Sequence, residues 1–205
     1  MNSLMQQALG EAWDRLPPAL QAHYLPGKTL DVGHLDVEYP AFMQPVLSVL
    51  SRLGALVRRR GQAVHTRVEK ETVDQRLHWC RTLRYSDGHT LHFNSVWELQ
   101  PDGQVVEFVN PWLGLQMRPF VVGRQLHYSG VRFVARVGRW VLHIPQWCAL
   151  GHTIIVERAL DDHHFAMDFR MVHPVFGQVF RYCGTFRANA DTASASHQLG
   201  SGSRP

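Results

Sequence analysis

Between residues 62 and 187 the apolar side chains recur at every second position, and short turn signals interrupt that alternation. The interruptions are Ser86-Asp87-Gly88, Pro101-Asp102-Gly103, Val122-Gly123, Gly138, Gly151, Asp161-Asp162 and Pro174 to Gly177. Period-two runs rich in Val, Phe, Trp, Tyr and Thr between such turns predict strands. They fall near 62–73, 76–86, 89–100, 104–110, 119–128, 130–137, 139–144, 152–160, 163–172 and 177–187. Hairpin-length connections imply an antiparallel meander. With this many sequential strands, a barrel or half-barrel is the economical way to remove exposed edges.

The first sixty residues read differently. Ser3 is a candidate N-cap with Gln6 three residues on, and Met5, Leu9, Trp13 and Leu16 follow at helical spacing. Pro17-Pro18 interrupts this helical stretch, which spans about 3–24. Residues 28–38 predict a strand in which Leu30 and Val32 share one parity and Leu35 and Val37 the other, so a β-bulge is expected at Gly33. A second helix is expected over 41–58, with Phe42, Met43, Val46, Leu47, Leu50, Leu53 and Val57 as its apolar stripe. Arg58–Arg60 would occupy its last turn and Gly61 its C-cap. The expected class is mainly β with two N-terminal helices (α+β), those helices capping one end or face. Residues 1–187 form a single domain and the small, polar segment 188–205 is expected to be disordered. A helix-grip arrangement is disfavoured because no long amphipathic helix appears at the C-terminal side.

Composition excludes several function classes. Hydrophobic content of 45% and charged content of 19% exclude a disordered chain. No apolar run is long enough for a membrane helix, and the acid-containing N-terminus does not read as a secretory signal. Cys80, Cys148 and Cys183 match neither a disulfide scaffold nor a CxxC site, which predicts a reduced, cytoplasmic protein. The net charge is +4, but nearly all the basic residues are arginine, with Lys28 and Lys70 the only lysines. Such a skew looks like genome base composition. With no motif and no broad basic patch, no nucleic-acid partner is expected.

The alternation also assigns faces. Leu77, Trp79, Arg81, Leu83 and Tyr85 share one side of their strand, and Leu91, Phe93, Ser95, Trp97 and Leu99 share one side of the next. Phe165, Met167, Phe169 and Met171 point inward on a third strand, and Phe180, Tyr182, Gly184 and Phe186 on the last. The interior is therefore aromatic, with Arg81 among its rings. A buried guanidinium needs a carboxylate or a polar cavity. Glu107, on the parity of Val105 and Val109, and Glu157, in an apolar run, are both candidate partners. Arg81 is either half of a structural ion pair or the polar anchor of an apolar cavity, since small-molecule sites combine many apolar groups with few polar ones.

The chain's 13 histidines match no HExxH, Cys/His zinc or facial-triad spacing, so no metal and no cofactor are expected. GxSxG, P-loop and GxGxxG motifs are absent, and no catalytic residues are assigned.

The segment HHFAMDFRMVHPVFGQVFRYCGTFR at 163–187 resembles the closing hallmark of the family called domain of unknown function 4166. LGEAWDRLPPALQAHY at 9–24 is similar to its opening, HWCRTLRYSDG at 78–88 to its W-x-R-x-F element, and RWVLHIPQW at 139–147 to a further element. Trp13 and Leu83 are conservative departures. The resemblance implies that Arg81, His173, Pro174, Gly177, Tyr182 and Gly184 are motif positions, with His173, Pro174, Gly177 and Gly184 in structural roles. It also implies that members stand alone or follow a dinucleotide-binding, dehydrogenase-like domain, and it carries no established reaction.

The expected function is an accessory domain that binds a small apolar or amphipathic molecule inside a β-barrel, with Arg81, Tyr182, Glu107, Glu157, Trp79 and Trp97 as candidate ligand contacts. One alternative is an enzyme or accessory subunit acting with a dehydrogenase-like protein. Another is a protein-interaction domain with a filled core, marked by an exposed apolar patch around Trp112-Leu113 and Trp147.

Overall fold

The computed structural model describes residues 2–189, and the part of the expected polar tail from residue 190 lies outside them. The strands are β1 (Lys28–Glu38), β2 (Gly61–Val73), β3 (Arg76–Arg84), β4 (Thr90–Leu99), β5 (Val105–Phe108), β6 (Leu113–Val122), β7 (Gln125–Val137), β8 (Trp140–Ile144), β9 (His152–Ala159), β10 (His164–His173) and β11 (Gly177–Arg187). Neighbours along the chain pair antiparallel except β8 and β9, and β1 closes on β11 while β7 bridges β6 to β9. Every strand except β8 therefore belongs to one closed barrel. β8 pairs with β7 over Phe133–Val137, beyond the stretch Gln125–Ser129 where β7 meets β9. The β7–β8 hairpin thus continues the wall past the point where β9 begins.

Two predicted strands differ from the structure. The turn falls at Gly123-Arg124, so β6 runs from Leu113 and β7 starts at Gln125, in place of strands at 119–128 and 130–137. Gly130 is a packing position and not a break: a Cβ there would lie 2.4 Å from Gln146 Oε1. A bulge opposite Gln116/Met117 carries β7 through this point.

The helical segments occupy opposite ends of the barrel, where a shared end was expected. At one end α1 (Leu4–Leu9), a 3-10 segment (Gly10–Arg15) and α2 (Pro18–His23) plug the barrel, burying Met5, Trp13, Leu20 and Tyr24. Ser3 Oγ accepts from Gln6 N at 3.1 Å, the expected cap. At the other end a 3-10 turn (Ala41–Met43) leads into α3 (Gln44–Arg52). α3 ends before the arginine run because Gly54, at φ +73°, supplies the left-handed turn that stops it. Arg58–Arg60 therefore lie outside any helix, and Gly61 opens β2. Met43 and Leu47 of the expected stripe are buried, whereas Phe42, Val46 and Leu53 stay exposed.

The bulge expected at Gly33 is also absent there. Asp31, Gly33, Leu35 and Val37 all lie on one parity of β1 and are all buried, so the inward face is unbroken. A buried aspartate mimics a phase shift when polar residues are read as outward. The irregularity in β1–β2 pairing falls between Leu35 and Val37.

Gly184 sits where β11 crosses β1, and a Cβ on it would lie 1.9 Å from the His34 carbonyl oxygen. The close approach at this position is backbone. Gly177 has φ +66° in the β10–β11 turn. There His173 Nδ1 accepts from Val175 N at 3.1 Å, so the ring caps the turn. Because two backbones must separate to admit a methyl group, Gly184→Ala is expected to lower stability by at least about 2 kcal/mol. Gly177→Ala, in open space, carries only the left-handed strain of about 1 kcal/mol. Chemical denaturation of both variants checks the order.

Candidate functional site: a barrel cavity with a polar floor

Alternation turns one face of every strand into the barrel, and those faces do not fill it. The interior holds two adjoining spaces. A deep compartment of about 50 Å³ is bounded by side chains including Trp79, Arg81, Trp97, Glu157 and Phe165. A larger one of about 350 Å³ lies towards the α3 end and is lined by groups including Leu50, Leu115, Phe133, Ile144 and Leu150. Leu56, Phe93, Glu107 and Tyr182 border both. The third sequence reading expected a filled core, and these two spaces stand against that packing.

The partner of Arg81 is Glu107. Arg81 donates to Ser95 Oγ at 2.9 Å and to Glu107 Oε1 at 3.1 Å, and Ser95 Oγ donates to the same oxygen at 2.6 Å. The guanidinium also lies 4.7 Å from the Trp79 ring centroid and 5.1 Å from that of Phe93. Trp79 and Trp97 pack with centroids 5.0 Å apart. Both indole N–H groups are buried with no partner among the described residues. Buried donors are rarely left so in proteins, and here both tryptophans line a space large enough for a small polar group. Tyr182 stacks on Phe169 at 4.5 Å, and burial pushes its phenol above the ordinary range.

Glu157 belongs to a second network. Tyr128 donates to Tyr24 at 2.5 Å, and Tyr24 donates to the Glu157 carboxyl at 2.9 and 3.0 Å. Tyr24, rather than Tyr182, therefore reaches this acid. Burial pushes the Glu157 carboxyl up to about 8, against the opposing pull of Tyr24 and Lys70, so it is mostly protonated at neutral pH.

The sequence reading missed His23, Asp31 and Lys70. Lys70 Nζ donates to Asp31 Oδ2 at 2.5 Å and to the His23 carbonyl, and His23 Nδ1 lies 2.6 Å from the same carboxylate oxygen. Asp31 Oδ1 accepts from Asn189 N at 2.9 Å. Burial raises the Asp31 carboxyl, but Lys70 and His23 outweigh it and hold the group at about 2. Burial, reinforced by Lys70, holds His23 at about 4 and hence neutral. The missed signal was positional: Asp31 shares the parity of Leu35 and Val37, and Lys70 that of Val64 and Val68.

Among the described residues no cluster of three or more His, Cys, Asp or Glu side chains converges as metal ligands would. No helix there is long and apolar enough to cross a membrane.

A family model described as domain of unknown function (DUF4166) matches residues 16–186. The chain belongs to this family. Within the DUF4166 domain, the motif positions His173, Pro174 and Gly177 build the β10–β11 turn, while Arg81 and Tyr182 face the cavity. No curated protein matches the chain. Two solved structures are similar to the DUF4166 barrel. A bovine odorant-binding protein complexed with its natural ligand aligns over 82% of this chain and 77% of its own at 11% identity, with a TM-score of 0.29. An odorant-binding protein from bovine nasal mucosa aligns over 83% and 76% at 11% identity, with a TM-score of 0.31. The matches give no support to a dehydrogenase-like partner.

Two predictions follow from the floor. Lys70→Met strands the Asp31 charge in the core and is expected to cost about 3–5 kcal/mol, part of which Asp31→Asn in the same chain restores. Denaturant melts of the single and double variants measure this. For Glu157 the folded value of about 8 exceeds the unfolded 4.5, so the folded state holds more protons between them. Stability contributed by the protonated acid is complete below pH 4.5 and is lost as pH rises to about 8. At pH 7 the loss is on the order of 3 kcal/mol. Glu157→Gln is expected to flatten this slope in thermal melts across that range.

Proposed function

We propose that the barrel binds a small apolar or amphipathic molecule, its apolar body in the outer compartment and a polar group at the Arg81–Glu107 floor. The observation that carries the reading is an unfilled, apolar outer compartment of about 350 Å³ that leads to a floor bearing unpartnered indole donors. That volume lies within the range of small-molecule sites of roughly 300–1,000 Å³. Arg81 is already neutralised by Glu107, and Lys70 by Asp31. A charge-balanced floor favours a neutral polar head such as a hydroxyl, carbonyl or amide over an anion, which Glu107 would repel.

Native mass spectrometry with solvent extraction of co-purifying material tests for a natural occupant. Binding of N-phenylnaphthylamine and of a long-chain alcohol tests the cavity directly. Ala55→Trp, which places an indole in the outer compartment, is expected to weaken both probes at least tenfold while circular dichroism stays unchanged. Arg81→Met with Glu107→Gln keeps the interior neutral and is expected to weaken the alcohol several-fold more than the naphthylamine. Saturable binding of neither probe to the wild type would remove the proposal.

A further inference from the structure

The end of the barrel at which the cavity opens is built differently from the plugged end. Its connections are β1–β2 with α3, β3–β4, β5–β6, β7–β8, β8–β9 and β10–β11. Large apolar side chains stand exposed on most of them: Phe42, Val46 and Val49 around α3, Trp112 after β5, and Phe176 in the β10–β11 turn. Trp140 is 65% exposed on the β7–β8 hairpin and Trp147 is 67% exposed before β9. The face of that hairpin is continuous with the cavity wall. Phe133 and Ile144 border the cavity, and Leu142 and Trp140 follow on the same parity, out of the barrel and uncovered.

Charge is partitioned the same way. No Asp or Glu occurs from Tyr39 to Val68 or from Phe108 to Val156. Arg52, Arg58, Arg60 and Arg139 are exposed at this end. The carboxylates nearest the rim are engaged: Asp87 by Arg59, and Glu38 by Arg181 at 3.4 Å. The connections at the plugged end carry Glu11, Asp14, Asp74, Asp102, Asp161 and Asp162 against Arg15 and Arg124.

We infer that the rim of the open end docks on the surface of an anionic lipid bilayer. An apolar ring rich in tryptophan suits the headgroup boundary, where amphipathic rings partition. Arginines without neighbouring carboxylates suit an anionic leaflet, and the acidic far end orients the barrel mouth-down. That the docked mouth admits a membrane-derived ligand rests on the function proposed above, whereas the docking itself does not.

The test is flotation with phosphatidylcholine vesicles with and without phosphatidylglycerol, at low and high salt. The wild type is expected to float only with phosphatidylglycerol present, less so at high salt, with a blue shift of tryptophan emission. Arg52→Glu with Arg139→Glu is expected to reduce vesicle affinity at least tenfold, since each basic side chain near an anionic surface contributes about fivefold. Trp140→Ser with Trp147→Ser is expected to reduce it comparably. None of these four residues borders the cavity, so both variants should keep naphthylamine binding. Loss of vesicle binding with that probe retained supports the docking surface. Vesicle binding that is absent, indifferent to phosphatidylglycerol, or unchanged in both variants overturns it, whatever the probe does. A wild-type dimer that the tryptophan variant dissolves, with no vesicle binding, overturns it in favour of self-association. If the vesicles bind but the probe does not, the docking surface stands and the ligand reading falls.

Discussion

Lys70 and Asp31 meet at 2.5 Å with both side chains out of water. Each charge would be costly alone in the interior, and each is tolerable only with the other in place. The pair draws in four separate parts of the chain: α2 through the His23 ring and carbonyl, β1 through Asp31, β2 through Lys70, and the turn just after β11 through Asn189 N. A barrel closed by β1 on β11 has its first and last strands as neighbours, and this cluster ties both to the helical plug. The plug in turn positions Tyr24 against Glu157 and Tyr128.

The polar floor and the cavity are two consequences of one arrangement. Charged groups that must remain paired cannot be packed over freely by apolar side chains, and the aromatic rings around them are rigid. Space persists above the Arg81–Glu107 pair and widens towards α3. At that end β8 extends the wall without a further strand to cover it, and α3 buries only part of its apolar stripe. The mouth is consequently apolar outside as well as inside. The plugged end, whose helices bury their apolar faces in the barrel, carries acidic connections, with Leu25, Val73, Val122 and Leu160 as its exposed apolar side chains.

Much of this was legible because a strand's side chains alternate strictly. That rule put Arg81, Ser95, Trp97, Glu107 and Tyr182 on inward faces from spacing alone, while Glu157 stood out only as an acid within an apolar run. It failed at Asp31 and Lys70, since a charged residue at an inward position reads as a break in phase or as solvent-facing until its partner is known. The turn signal at Val122-Gly123 was present but a strand was read across it and broken at residue 129 instead, and the second helix, offered glycine stops at Gly54 and Gly61, used the earlier one.

The amino-acid order by itself determined the strand-rich meander, the aromatic interior and the presence of an arginine within it, because these depend on periodicity and on the cost of exposing apolar surface. Only the tertiary structure decided that Glu107 and not Glu157 holds Arg81, that α1 and α2 plug one end while α3 leaves the other open, and that the interior keeps a cavity. Those outcomes depend on which residues distant in the chain meet across a closed barrel, and the closure of β1 on β11 sets that for every strand at once.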